Sequence, residues 1–262
     1  MLLVSYITRS HAATLPTNFF ENTRFWDGVN SAKPEPALAF TAALVPHHLL
    51  AGQLISQIFE EIKQQSPKTL IIVGPNHYET GNFDIQSGST NWQTNFGTVY
   101  GTNLLPEFEP MPNTFLTAEH SVAGLIPYVA YYLPKTRVFA ITLKHNTNPN
   151  QVSQLAKHIA DKLGLNTTLL VSVDFSHYLP KHTAEQRDML TRQILLSGKI
   201  EKLRALNNDY LDSPPSIALL LEVCKLQAGT FIIKDHSNSA VLLKDASLLS
   251  TTSYFTGYCA RP

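Results

Sequence analysis

Four short, uninterrupted apolar runs most constrain how this chain can fold. They read "ALAFTAALV" (37–45), "TLIIVG" (69–74), "RVFAITL" (137–143) and "TLLVSV" (168–173). Each has strand length and lacks strict alternation of apolar and polar residues. A strand buried on both faces looks like this, because helices cover both sides of its sheet. Helical patterns lie between the runs. Ala51, Leu54, Ile55, Ile58, Phe59 and Ile62 recur at helical spacing and form one apolar stripe across 51–65. Helix is also predicted over 120–133, over "NPNQVSQLAKHIADKLG" closed by Gly164, and over 184–207 in two pieces broken at Gly198. "SPPSIALLLEVCKL" (213–226) starts with Ser213 as cap and Pro214 at the first helical position. "TFIIKD" and "TSYFTGYCA" predict two late strands. Residues 80–115 predict a hairpin-like excursion with loops, and residues 1–36 an irregular segment. This alternation predicts a single α/β domain over 1–262, with a largely parallel central sheet and helices on both faces.

Composition narrows the classes. The 262 residues carry 20 basic and 20 acidic side chains, so formal net charge is zero. That balance gives no electrostatic reason to expect nucleic acid or an anionic membrane as a partner. At 44% hydrophobic and 15% charged, the chain has the material for a packed core rather than a disordered ensemble. No apolar stretch approaches the ~20 residues of a spanning helix. The segment "MLLVSYITRSHAATLP" lacks a basic start and makes a poor signal peptide. Two cysteines, Cys224 and Cys259, do not demand a disulfide, so a reducing, cytoplasmic setting is the simpler expectation.

In open α/β sheets, ligands bind outside the carboxyl ends of the strands. Five of the ten histidines sit at such exits. His47 and His48 follow the first run, His77 lies in "GPNHYETG", His145 follows 137–143, and His177 lies in "DFSHY" with Asp174 and Ser176. Parallel strands would bring these loops to one sheet edge. Neutral imidazoles ligate Zn, Cu, Fe and Ni, and two histidines with one carboxylate form the facial triad of non-haem Fe(II) sites. Each residue also has a plain structural reading. A single histidine can be an ordinary loop residue. Asp174 or Ser176 can cap a helix, "GPNHYETG" can be a turn, and His236 can lie in another. His158 and His182 read as surface positions.

"VPHH", "IIVGPNH", "AEHS" and "VSVDFSHY" follow one another in an order and spacing that resembles the Memo-like family. The resemblance runs from about residue 37 to the C-terminus. Members occur in bacteria and archaea alongside radical-SAM partners, the AmmeMemoRadiSam system, and in eukaryotes as a cell-motility mediator. The family is similar in fold to the class III extradiol dioxygenases, which cleave catechol rings with non-haem Fe(II). The resemblance implies a metal pocket built from His47, His77 and His120, with Asp174 and His177 as its D-x-x-H pair. The family's cysteine before a late helix falls on Asp212. A carboxylate there favours a harder ion such as Fe(II) or Mn(II), where thiolate favours Zn or Cu(I). Asp212 also reads as a helix-entry residue beside the Ser213 cap. His48 stands where the family commonly has Ala.

By this resemblance His47, His77 and Asp212 hold a divalent metal, with Fe(II) favoured and Zn, Cu or Mn as alternatives. His177 is the acid/base candidate. Asp174 orients it or accepts a hydrogen bond, and His120 donates to a bound oxygen. Three readings follow. One is a metal-dependent oxidoreductase of extradiol dioxygenase type. The second is a non-catalytic protein holding metal, a small molecule or a peptide. The third is a homologue that keeps the fold without the ion. Radical-SAM system proteins are the implied protein partners.

Overall fold

The computed structural model describes residues 14–16, 19–33, 39–108 and 110–261. The readings made of residues 1–13 and 34–38, including the first residues of the 37–45 run, lie outside these. The elements are, in chain order, β1 (Thr14–Pro16), α1 (Asn22–Ser31), β2 (Phe40–Val45), α2 (Gly52–Gln65), β3 (Thr69–Pro75), β4 (Ile85–Gly88), β5 (Asn91–Thr94), β6 (Gly97–Val99), α3 (Asn113–Ala118), α4 (His120–Ala123) and α5 (Ile126–Tyr132). They continue with β7 (Arg137–Leu143), α6 (Pro149–Ala160), β8 (Thr167–Ser172), β9 (Phe175–Leu179), α7 (Lys181–Ser197), α8 (Pro214–Leu226), β10 (Thr230–Asn238), α9 (Ser239–Leu242) and β11 (Thr251–Ala260).

The main sheet has the order β10-β11-β2-β8-β3-β7-β4, with β9 paired to β11. Its centre, β2-β8-β3-β7, is parallel, and the flanking pairings are antiparallel. These four parallel strands are the four apolar runs. Successive residues feed opposite faces, as a two-residue period requires. Ala42, Leu44, Ile71 and Val73 enter a core beneath α6 and α8, while Ala43, Val45, Leu70 and Ile72 enter a second core beneath α2 and α5. The chain is thus a mixed α/β fold with a largely parallel central sheet flanked by helices.

The structure differs from the expectations in five places. The "NTRFWDGVNS" segment is helix α1, not loop. Glu21 caps it by accepting from the Arg24 N–H at 3.1 Å, and Phe25 is buried among the aromatic rings of the second core. Gly28 lies so close to the Gly52 carbonyl that a Cβ would overlap it, so α1 and α2 can touch backbone to backbone. Tertiary packing here outweighs the loop-like composition. The helix predicted over 120–133 is divided at Gly124 into α4 and α5, with Pro127 in the first turn of the second. "FSHYL" is strand β9 rather than the entry to a helix, because it pairs with β11; α7 starts only after Pro180. His236 lies in β10 and bonds Asp188 at 2.8 Å, not in a turn.

The fifth difference concerns the cysteines. Cys224, in the last turns of α8, and Cys259, near the end of β11, have Cα atoms 5.5 Å apart and are joined by a disulfide. The expectation of free thiols gives way because the two elements pack directly at this point, within bridging range. Reduction should therefore lower the urea midpoint. Opening a cross-link with a sequence separation of 35 corresponds to about 3–4 kcal/mol in the chain-entropy view. Mass spectrometry after alkylation under non-reducing conditions, with urea curves in the presence and absence of a thiol reductant, checks both the bond and its effect.

Candidate metal centre

The parallel strands β2, β8 and β3 end side by side, and their exits carry the histidines. Pro46 follows β2 and puts His47 next. Pro75 closes β3 two residues before His77. Asp174 leaves β8 between them, its Oδ1 accepting from the backbone N–H of His47 at 3.1 Å and more distantly from that of His48 at 3.5 Å. Helix α4 lies on the end of β3 because Gly74 has no Cβ; one would stand 2.6 Å from Ser121 Oγ. This close approach delivers Glu119 and His120 to the same edge.

Hydrogen bonding fixes both imidazoles. Ser172 Oγ donates its only proton to the Ser121 carbonyl at 2.6 Å, so it accepts from His47 Nδ1 at 3.1 Å. His77 Nδ1 donates to Glu119 Oε1 at 2.7 Å, and the His77 backbone N–H donates to Glu119 Oε2 at 2.8 Å. Both Nε2 atoms are left facing one carboxylate oxygen. Asp212 Oδ2 lies 3.2 Å from His47 Nε2 and 3.5 Å from His77 Nε2. The ring centroids are 5.1 Å apart. The same Oδ2 accepts from the Asp174 N–H at 3.2 Å, and the Asp212 N–H donates to the Asp174 carbonyl at 3.1 Å. Among the described residues, the buried Oδ1 of Asp212 has no hydrogen-bond partner.

This arrangement is poor for a neutral protein and good for a cation. Two lone pairs on nitrogen point at a carboxylate, and something positive has to lie among them. In the protein alone it is a proton. Burial disfavours charge on His77, but Asp212 and Glu119 outweigh it and push the imidazole up to about 10. Burial likewise opposes charge on His47, and the Asp174 and Asp212 carboxylates still raise it. Burial would raise Asp212, yet the hydrogen bonds from His47 and His77 hold it well below the usual carboxylate range. Histidine nitrogens and carboxylate oxygens also form two sets able to hold a metal ion: His47, His77 and His120, and His47, Asp174 and Asp212. The orphaned Asp212 Oδ1 and the pinned Nδ1 atoms fit such an ion, since a carboxylate partner on the distal nitrogen is how ligating imidazoles are oriented.

The other expected residues fall around this group. His120 stacks on His77 at 4.0 Å, and burial with the neighbouring His47 and His77 lowers it to about 4. His177 lies on β9, and among the described residues neither a hydrogen bond nor an ion pair joins it to these donors, nor has its buried Nδ1 a hydrogen-bond partner there. Asp174 therefore holds the loop of His47 rather than bonding to His177. Asp212 does not cap α8. Ser213 does, accepting from the Ser216 N–H. His48 turns away from the cluster, its Nδ1 2.6 Å from the Tyr254 hydroxyl. A cavity of about 460 Å³ opens on His77 and Asp212, and another of about 370 Å³ on His47, His48 and His120. Sequence reasoning passed over Glu119 and Ser172, although Glu119 stands inside the quoted "AEHS".

An α/β protein with histidine and carboxylate donors gathered at the carboxyl edge of a parallel sheet is the class that this fold and site define. The profile of the family described as Memo-like protein matches residues 22–257, and the chain belongs to that family. Similar curated proteins include a MEMO1 family protein of Caldivirga maquilingensis, 23% identical over 225 residues, covering 81% of this chain and 78% of the relative. Another, from Pyrobaculum arsenaticum, is 27% identical over 213 residues and covers 75% of each chain. Among solved structures, an uncharacterized protein of Escherichia coli K12 superposes with a TM-score of 0.52 at 12% identity, over 83% of this chain and 99% of that one. That likeness extends to the fold alone.

Two outcomes test the donor group. Glu119→Gln should leave the protein folded and weaken divalent-metal affinity roughly 10–100-fold, as loss of a ligand's orienting partner does; competition against a chromophoric chelator measures it. In metal-free protein, His77 has a raised proton affinity in the fold, so its contribution is complete below about pH 6.5. It is lost as pH rises toward about 10. Melting temperature in chelator should fall over that window more steeply for wild type than for His77→Gln.

Proposed function

We propose that this protein binds a divalent metal through His47, His77 and Asp212 and works as a metal-dependent oxidoreductase of the extradiol dioxygenase type. The observation that carries the reading is the meeting of two fixed Nε2 atoms and the Asp212 carboxylate, whose second oxygen has no hydrogen-bond partner among the described residues. The carboxylate in place of thiolate favours Fe(II), with Mn, Zn and Cu as alternatives. A bound ion would supply Lewis-acid and redox chemistry to a substrate oxygen.

The chain's own residues supply the rest. Glu119 and Ser172 keep the two rings in one tautomer. His120, held neutral at ordinary pH and half-buried beside His77, can offer a donor or acceptor to a ligand in the adjoining space. His177 is proposed as the acid/base, with its unpartnered buried Nδ1 as the supporting feature. Asp174 positions His47. The cavity on His77 and Asp212 gives a small molecule access, and His48, tied to Tyr254, leaves that face open. This favours a ligand-processing site over one blocked by a bulky side chain. The non-catalytic reading predicts metal without turnover, and the degenerate one predicts no metal. Radical-SAM system proteins are proposed as partners through family membership alone.

Among the described residues no helix is long and apolar enough to cross a membrane. A cytoplasmic location belongs to this proposal. The Cys224–Cys259 bridge weighs against it, because cytoplasmic thiols are kept reduced.

Anaerobic purification with elemental analysis tests the metal. Wild type should carry about one ion per chain, and His47→Ala and Asp212→Ala should lose it. Metal retained in Asp212→Ala removes that carboxylate from the set. Oxygen uptake by iron-loaded protein with a catechol panel tests the reaction. Uptake abolished by His177→Ala supports the role given to that residue; no uptake by wild type refutes the dioxygenase reading.

A further inference from the structure

A second cavity, of about 240 Å³, lies between α6 and α8 and adjoins the one over the metal group. His145 lines both, and the successive residues Leu206 and Asn207 line one each. Its walls are mostly apolar, with Val152 on α6, Leu203 just after α7, and Ala218 on α8. Glu222, one turn beyond Ala218 on the same face of α8, adds a carboxylate. Ser153 Oγ donates to Glu222 Oε2 at 2.9 Å, and among the described residues Glu222 has no ion-pair partner. A half-buried carboxylate at an apolar slot, with the neutral Ser153 hydroxyl as its donor among the described residues, keeps acceptor capacity for a cation.

We propose that this slot takes the apolar chain and terminal ammonium of a small amine, whose opposite end reaches the cavity over His77 and Asp212. Glu222 is the anion that would receive the ammonium, and the apolar walls strengthen that attraction by excluding water. The walls supply contact for a methylene chain, and the wall shared at His145 puts the far end of that chain next to the cavity of the donor group. The ammonium half of the proposal stands on the slot alone; the link to the donor group rests on the proposed metal site.

The two halves can be tested apart. Metal-stripped, isotopically labelled protein is titrated with n-hexylamine and with 1-hexanol, following amide shifts by NMR. Hexylamine should move the Val152 and Ala218 amides and bind roughly tenfold tighter than hexanol, the difference a charged partner makes. Glu222→Gln, with an unchanged melting curve, should bring the amine to the level of the alcohol. Ala218→Phe should abolish binding of both by filling the slot. Equal affinity for amine and alcohol, or an amine affinity indifferent to Glu222→Gln, overturns the proposal. In zinc-loaded protein, 6-aminohexanoate should bind more tightly than in stripped protein, and Asp212→Ala should remove that gain. Slot binding without such a gain overturns only the connection to the donor group. A protein that takes up neither Fe(II), Mn, Cu nor Zn yet binds hexylamine through Glu222 refutes the metal reading and leaves the amine slot standing.

Discussion

Oδ2 of Asp212 faces Nε2 of His47 at 3.2 Å and Nε2 of His77 at 3.5 Å, and the surrounding structure keeps either ring from turning away. Ser172 holds the far nitrogen of one ring and Glu119 that of the other. Each of those holders is itself held, Ser172 by the Ser121 carbonyl and Glu119 by two backbone N–H groups. The result is a convergence that a folded protein tolerates only with positive charge at its centre. A proton can play that part, and the raised affinity of both imidazoles shows where it would go. A metal ion plays it with a further partner, since the second Asp212 oxygen has none of its own among the described residues.

The parts legible in the sequence are those that burial dictates. The four apolar runs are the four parallel strands, and "RVFAITL" matches its strand residue for residue. Strand exits then pointed to the edge where His47, His77 and Asp174 stand, because parallel strands must finish on one side. What stayed hidden depends on contacts across the chain. Helix α1 looks like loop until Phe25 finds its aromatic neighbours. "FSHYL" looks like a cap until β11 pairs with it. Glu119 stands beside His120 in "AEHS", and only the packing of α4 on Gly74 aims it at His77. The disulfide joins residues whose spacing carries no signal at all.

Membership in the Memo-like family fixes the fold and makes sense of the order of the motifs, but a fold carries many chemistries. The local departures of this chain bear more directly on chemistry. A carboxylate stands where the resemblance expects a thiol, which changes the hardness of the donor set. An extra imidazole, His48, is drawn off by Tyr254, whose hydroxyl is held in its protonated form chiefly by burial and then by the charge of Asp174. Space remains on two sides of the histidines, so a ligand and a proton donor need not compete for one opening.

Strand β11 has one further consequence. It lies between β10 and β2, so Leu44, three residues before His47, gains its neighbour Gly257 only after nearly the whole intervening chain exists. During synthesis the early half of the sheet waits with an open edge. The ribosome must release the late strand before that edge can close, so the pairing of β2 with β11 is completed late. A chain stalled before Thr251 would expose its β2 edge to other nascent chains and to the chaperones that guard them.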